Sequence, residues 1–228
     1  MTTSTQKSTT IAALADGETV LLWERGAAVL AFAAATASTR QVAFAVKHTS
    51  GFLQVALPTT VCERLLIPTL PTASMRPVDE GYWPCIGVDA ASGITTGISA
   101  ADRARTARLL ADPNTAAGDL SRPGHVIVAG VDPDYQGPRL VAQLCAALAR
   151  NGTAGVVFAH LLSCRRPIDT ADHDDALAFA RAHHLPLYAP SRQRRFMPYR
   201  CAAVGHRLDG GDGAALIPPQ SPRHDPEG

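Results

Sequence analysis

The stretch Ser92–Pro113, SGITTGISAADRARTARLLADP, decides how this chain is read. It opens with a Gly-Ile-Thr-Thr-Gly turn and runs into an Arg-rich helix expected over Ala100–Ala111. Ser99 and Asp102 stand three apart at its head, a capping-box spacing with Asp in place of the more usual Glu. The helix should stop at Asp112-Pro113, because proline disfavours helical backbone in the residue before it. Two hydroxyls on a flexible backbone beside a helix N-terminus suit phosphate or carboxylate, so Thr95 and Thr96 are expected to bind an anionic part of a substrate. A plain helix cap explains the same residues, and both readings stay open.

Outward from this stretch, apolar β-type runs (AVLAF, GFLQVAL, HVIVAG, AGVVFAHLL, LPLYA) alternate with helical patterns at 39–46, 138–150 and 172–184. That alternation predicts an α/β (α+β) fold, a mixed sheet with surrounding helices. The Ser/Thr-rich start has nothing obvious to bury, and the end is rich in Gly and Pro. The expected division is therefore a disordered 1–10, one domain over 11–207 and a flexible tail at 208–228. A long Pro-containing loop is expected over 70–84.

Twenty-one basic and 20 acidic residues give a net charge of +1 over 228 residues. They are spread along the chain, so no basic stripe argues for nucleic acid. The longest apolar run is too short to span a bilayer and the first ten residues lack the apolar core of a signal peptide, so a cytoplasmic protein without a membrane partner is expected. Five scattered cysteines with no Cys-x-x-Cys pair suggest reduced thiols and no zinc site.

SGITTGISAADRARTARLLADP resembles the central signature of the 3,4-dihydroxy-2-butanone 4-phosphate synthases, which make that ketone phosphate and formate from ribulose 5-phosphate. VKHTSG at 46–51, LSRPGHV at 120–126 and LAFARAHHLPL at 177–187 resemble further blocks of the family in the same order. The resemblance implies a single domain, a homodimer with sites near the subunit interface, and a divalent metal, normally magnesium, held by a glutamate and a histidine.

Counted without gaps, however, the family's acidic loop falls on Trp23-Glu24-Arg25-Gly26-Ala27-Ala28-Val29. The metal-binding glutamate becomes Arg25 and a substrate-binding aspartate becomes Val29. The histidine ligand becomes Pro138, and the glutamate after the following strand becomes Ala159, beside His160. Hard dications need oxygen donors, so no metal and no other cofactor is expected.

The resulting candidates are His125, Arg25 and Cys85 for catalysis, with Thr95, Thr96, Arg139, His48 and Glu24 for substrate binding. His125 matches a family position described as essential and is an ordinary general base near neutral pH. Arg25 and Arg139 can supply the positive charge a metal would otherwise offer. Cys85 is a nucleophile only if its thiol is activated, and His48 equally suits a structural anchor of its turn. His160 is set aside because neighbouring strand residues face opposite sides.

The expected function is a repurposed, metal-independent lyase, dehydratase or cyclase acting on a small molecule of specialised metabolism. A non-catalytic homologue, its pocket filled by Trp23, Arg25 or Tyr82, is the alternative. Retained synthase activity on ribulose 5-phosphate is the third reading.

Overall fold

The computed structural model describes residues 3–70 and 81–189. In chain order its elements are α1 (Thr3–Ala15), β1 (Val20–Glu24), β2 (Ala27–Ala33), α2 (Thr39–His48), β3 (Gln54–Pro58), α3 (Thr59–Arg64), β4 (Trp83–Pro84) and β5 (Val88–Ala90). There follow α4 (Ala100–Ala111), β6 (Leu120–Val131), α5 (Leu140–Arg150), β7 (Val156–His160), α6 (His173–His183) and β8 (Leu187–Tyr188). The strands form one sheet ordered β4-β6-β3-β7-β2-β1-β8, with β5 paired to β6. The β1–β8 and β3–β6 pairs are parallel and the others antiparallel, so the expected mixed sheet is what forms.

Burial on both faces explains the apolar strands. Leu21, Leu30, Phe32, Val55, Val128 and Val157 meet the apolar faces of α2, α4 and α6 on one side. Val20, Leu22, Ala31, Ala56 and Phe158 meet α1 and α5 on the other. Because successive strand residues face opposite sides, neither side tolerates a shift of register by one residue.

Two expectations about the chain need correction. Of the stretch 1–10, read as disordered, residues 3–10 supply most of α1. Lys7, Ile11 and Leu14 lie at helical spacing; Lys7 donates to Gln143 on α5 at 2.9 Å, and Leu14 is fully buried. Helix α5 starts at Leu140 instead of Pro138, with Arg139 as its N-cap. Helix α4 has the expected ends. The predicted tail at 208–228 and most of the predicted loop, 71–80, lie outside the described residues.

Strand register places the candidate residues. Val29 pairs with His160, and Gln54 pairs with both Phe158 and Ile127. The β1–β2 turn, the end of β7, the start of β3 and His125 on β6 therefore share one end of the sheet. From β2 to β6 is three strand spacings, roughly 15 Å.

Candidate functional site

At the hairpin, Arg25 and Gly26 alone connect β1 to β2, with φ of 51° and 83°. Positive φ at both positions is what a two-residue turn needs to follow the twist of its strands. Where the gapless count puts the family's acidic loop the chain makes a tight turn, with Arg25 half-buried at its tip.

Glu24, the last residue of β1, is only 2 % exposed and faces the α5 side of the sheet. Its carboxylate accepts the Arg139 Nη1–H at 3.3 Å and the Leu140 N–H at 2.5 Å. The first turn of α5, whose N-cap has no side-chain cap of its own, is capped from another strand and complemented by a negative charge. Burial pushes the Glu24 carboxyl above its ordinary range, against the opposing pull of the Arg139 guanidinium and the Leu140 and Val141 amides. Tyr82 stacks on Phe158 at 5.5 Å, and the Arg139 guanidinium lies 5.7 Å from the Tyr82 ring centre. Trp23 turns to the opposite face, edge-on to His173 at 5.2 Å.

The hairpin and the α5 start meet, as a shared metal centre would require, but their donors do not fit one. Arg25 and Pro138 offer no side-chain oxygen, and both Glu24 oxygens already accept hydrogen bonds. A guanidinium ~4 Å from a dication would cost about 8 kcal/mol at an effective dielectric near 20, twice the figure for two unit charges. Glu24 and Arg139, read from sequence as separate substrate contacts, instead bind each other.

On the same end of the sheet, His125 carries the second constellation. Its Nδ1 lies 2.7 Å from Asp89 Oδ2, and its backbone N–H donates to Asp89 Oδ1 at 3.0 Å. Asp89 is buried beside Arg103, whereas the His125 side chain is 45 % exposed. The carboxylate places the ring proton on Nδ1 and leaves Nε2 as the atom that takes or gives a proton. Arg103 also donates to the Gly51 carbonyl at 2.8 Å, joining the 46–51 block to α4. Gly97 closes over the pair with φ of 83°, and a Cβ there would fall 2.8 Å from His125 Nδ1.

The Thr95-Thr96 turn is not an empty anion seat. The Thr95 hydroxyl donates to Asp102 Oδ2 at 2.7 Å, and the Thr95 and Gly97 amides donate to the same carboxylate at 3.2 and 3.1 Å. These hydrogen bonds, the Thr95 hydroxyl foremost, hold the Asp102 carboxyl below its usual range. Asp102 also donates its amide to Ser99 Oγ, so the helix cap and the seat are one assembly filled by the chain's own anion. Thr96 stays exposed.

Two candidates lie apart. Cys85 is buried beside Val128 and Gly130, further along β6 from His125, and its thiol donates to the Trp83 carbonyl at 3.3 Å. His48 packs among Phe44, Phe179 and His183 between α2 and α6, with ring centres 4.7 to 5.2 Å away. These contacts suit the structural role that the sequence also offered for it. Burial, then the charges of His183 and Lys47, pushes its pKa below 6.5.

Sequence reasoning missed Asp89, which stands on another strand with no motif to mark it. It also set His160 aside. By strand alternation His160 faces the same side as Phe158 and opposite Val29, near the Glu24 cluster, while Ala159 turns into the other core.

A family model described as 3,4-dihydroxy-2-butanone 4-phosphate synthase matches residues 8–191. Proteins named riboflavin biosynthesis protein RibBA from Mycobacterium tuberculosis and Salinispora tropica are 49 % and 47 % identical over 98 residues, 43 % of this chain. The chain spans about a quarter of their length, 23 % and 24 %. The 3,4-dihydroxy-2-butanone 4-phosphate synthase of Candida albicans superposes with a TM-score of 0.69 at 26 % identity, over 80 % of this chain and 92 % of the other. A synthase structure in complex with two magnesium ions gives 0.68 at 28 % identity, over 80 % and 91 %. Among the described residues, no helix is long and apolar enough to cross a membrane.

Proposed function

The chain belongs to the 3,4-dihydroxy-2-butanone 4-phosphate synthase family, and from that premise we propose that it is an enzyme using His125 for proton transfer without the metal ion of the parent reaction. The observation that carries this reading is the 2.7 Å contact between His125 Nδ1 and the buried Asp89 carboxylate. A half-exposed imidazole held in one tautomer by a carboxylate is built to move a proton at Nε2. Asp89 stabilises the imidazolium once the proton has arrived, and the Arg103 guanidinium lies beside that carboxylate.

The reaction class that fits is proton abstraction next to a carbonyl, leading to elimination, dehydration or cyclisation. By the gapless count, Ala27, Ala28 and Val29 stand where the family carries acidic residues, which supports a small substrate less polar than a ribulose phosphate, in specialised metabolism. A homodimer in the cytoplasm is the setting that the family resemblance implies.

The test is proton exchange in D2O with EDTA present, followed by NMR on ketose phosphates and their dephosphorylated ketoses. Exchange next to the carbonyl is expected, and His125→Ala should lower it by about 10²–10⁴-fold. Formate release from ribulose 5-phosphate only on adding magnesium would restore the parent activity. Absence of exchange with every ketose would favour the non-catalytic homologue, a reading supported by Tyr82 and Arg139 packing over Glu24.

A further inference from the structure

At the end of the sheet away from His125, two adjoining cavities of about 480 and 370 Å³ share Ala111, Pro113 and Gly152 in their walls. Strand register fixes the place. Ala33 pairs with Val156 and Pro58 with Val131 at this end, four residues, roughly 13 Å, from the Val29–His160 pair. Arg105 and Arg108 line the first cavity, and Arg64 and Arg150 line the second. They come from three helices, α3, α4 and α5, so no basic run in the sequence announces them.

Each guanidinium is fixed by neutral oxygens. Arg64 donates to the Thr115 and Asp112 carbonyls, Arg105 to that of Ser92 at 2.8 Å, Arg108 to that of Ala37, and Arg150 to that of Pro133 at 3.2 Å. A carbonyl orients a guanidinium without neutralising it. Among the described residues none of the four forms an ion pair, whereas Arg139, Arg165 and Arg166 all do. The carboxylates in these walls are Asp112 and Asp134, and Asp112 already accepts from the amide and side chain of Asn114. Arg64, Arg108 and Arg150 stand in the last turns of their helices, where they also complement the helix dipoles. That role asks for one charge at each helix end; it does not account for Arg105 in the middle of α4, or for four cations around joined cavities.

We propose that these cavities form a binding site for a small organic molecule carrying two phosphate groups, one held by Arg105 and Arg108 and the other by Arg64 and Arg150. A planar guanidinium offers phosphate two parallel hydrogen bonds, and Arg105 and Arg108 are neighbours at helical spacing. Between the two pairs the shared wall of Ala111, Pro113 and Gly152 is uncharged, which suits the body of such a ligand. The volumes fall in the range of small-ligand sites. A net charge of +1 over the whole chain argues against an extended polyanion such as nucleic acid.

The test is a titration of the ¹⁵N-labelled full chain with fructose 1,6-bisphosphate and, separately, with fructose 6-phosphate, followed by NMR. Saturable shifts are expected at the amides of Ala111, Gly152 and Thr153 and at Arg105 Nε–H, with the bisphosphate binding at least about ten-fold more tightly. Arg105→Gln and Arg150→Gln should each weaken the bisphosphate by about ten-fold, whereas Arg181→Gln on α6 should leave it unchanged. No saturation by the bisphosphate, equal affinity for the two sugars, shifts confined to 95–97 and 125, an equal loss in Arg181→Gln, or tighter binding of a single-stranded oligonucleotide would each overturn the proposal. The titration of the unsubstituted chain decides the matter even where a glutamine variant fails to fold.

Discussion

Two clusters at one end of the same sheet have opposite characters. Around Glu24 the polar groups face one another: carboxylate to guanidinium, carboxylate to helix amides, guanidinium over an aromatic ring. Around His125 a buried carboxylate orients an imidazole that remains 45 % exposed. The difference teaches that a charged residue at an inherited site is not evidence of binding until its partners are known. Glu24 and Arg139 bind each other and α5, whereas the His125 ring contacts Asp89 through Nδ1 and is otherwise half-exposed, as the proposed proton transfer needs.

Glu24→Ala should break this contrast most severely. It strands the Arg139 guanidinium in a buried place and removes the acceptor of the Leu140 amide, at a cost of about 3–5 kcal/mol in urea unfolding. A loss below about 1 kcal/mol would mean that the pair does not hold the fold and that Glu24 belongs with the ligand contacts.

Replacing both partners, Glu24→Met with Arg139→Met, separates the value of the pair from the penalty of breaking it. Stability should return to within about 2 kcal/mol of the parent protein, since an apolar filling of similar volume avoids desolvating two charges. If the double variant is as unstable as Glu24→Ala, the cap on α5, not the ion pair, is the dominant interaction.

In the open cluster, Thr95→Val removes the hydroxyl that reaches Asp102 and should cost about 1 kcal/mol with no ligand present. Unchanged stability would return Thr95 to the substrate.

The smallest effect concerns pH. His48 has a pKa below 6.5 in the folded chain, so between that lowered value and the unfolded one the unfolded state binds more protons. Its contribution is complete above pH 6.5 and is lost as pH falls from there toward the folded pKa. His48→Phe should flatten this part of a stability profile measured from pH 7.5 to 5. The groups facing it are Phe44, Phe179, His183 and Lys47. An unchanged slope would mean that His48 does not carry this part of the profile.

The sheet and most helices were legible because their signals are local. Ser99 and Asp112-Pro113 mark both ends of α4, and the apolar runs mark the central strands. Helix α1 was not, because its inward stripe of Lys7, Ile11 and Leu14, of which only Leu14 is fully buried, is diluted by threonines and becomes visible only with α5 beside it. Strand β1 lacked alternation because it is buried on both faces.

In the site, His125 could be read from its motif, but Asp89 sits 36 residues away in sequence. The Thr95 turn was recognised as a place for an anion, and the sequence contained that anion three residues past the cap, in Asp102. Glu24 and Arg139, 115 residues apart, carried no mark of being partners. Pairings across such separations follow from the packing of β1 against the start of α5, which no local pattern encodes.

The borrowed cap on α5 also affects how the molecule comes apart. A helix whose opening amide is held from a residue 116 positions earlier has no means of keeping that end wound once the first hairpin lifts away. Deuterium uptake at Leu140 is therefore a gauge of hairpin detachment, reporting the loosening of the amino-terminal strands from the far half of the chain.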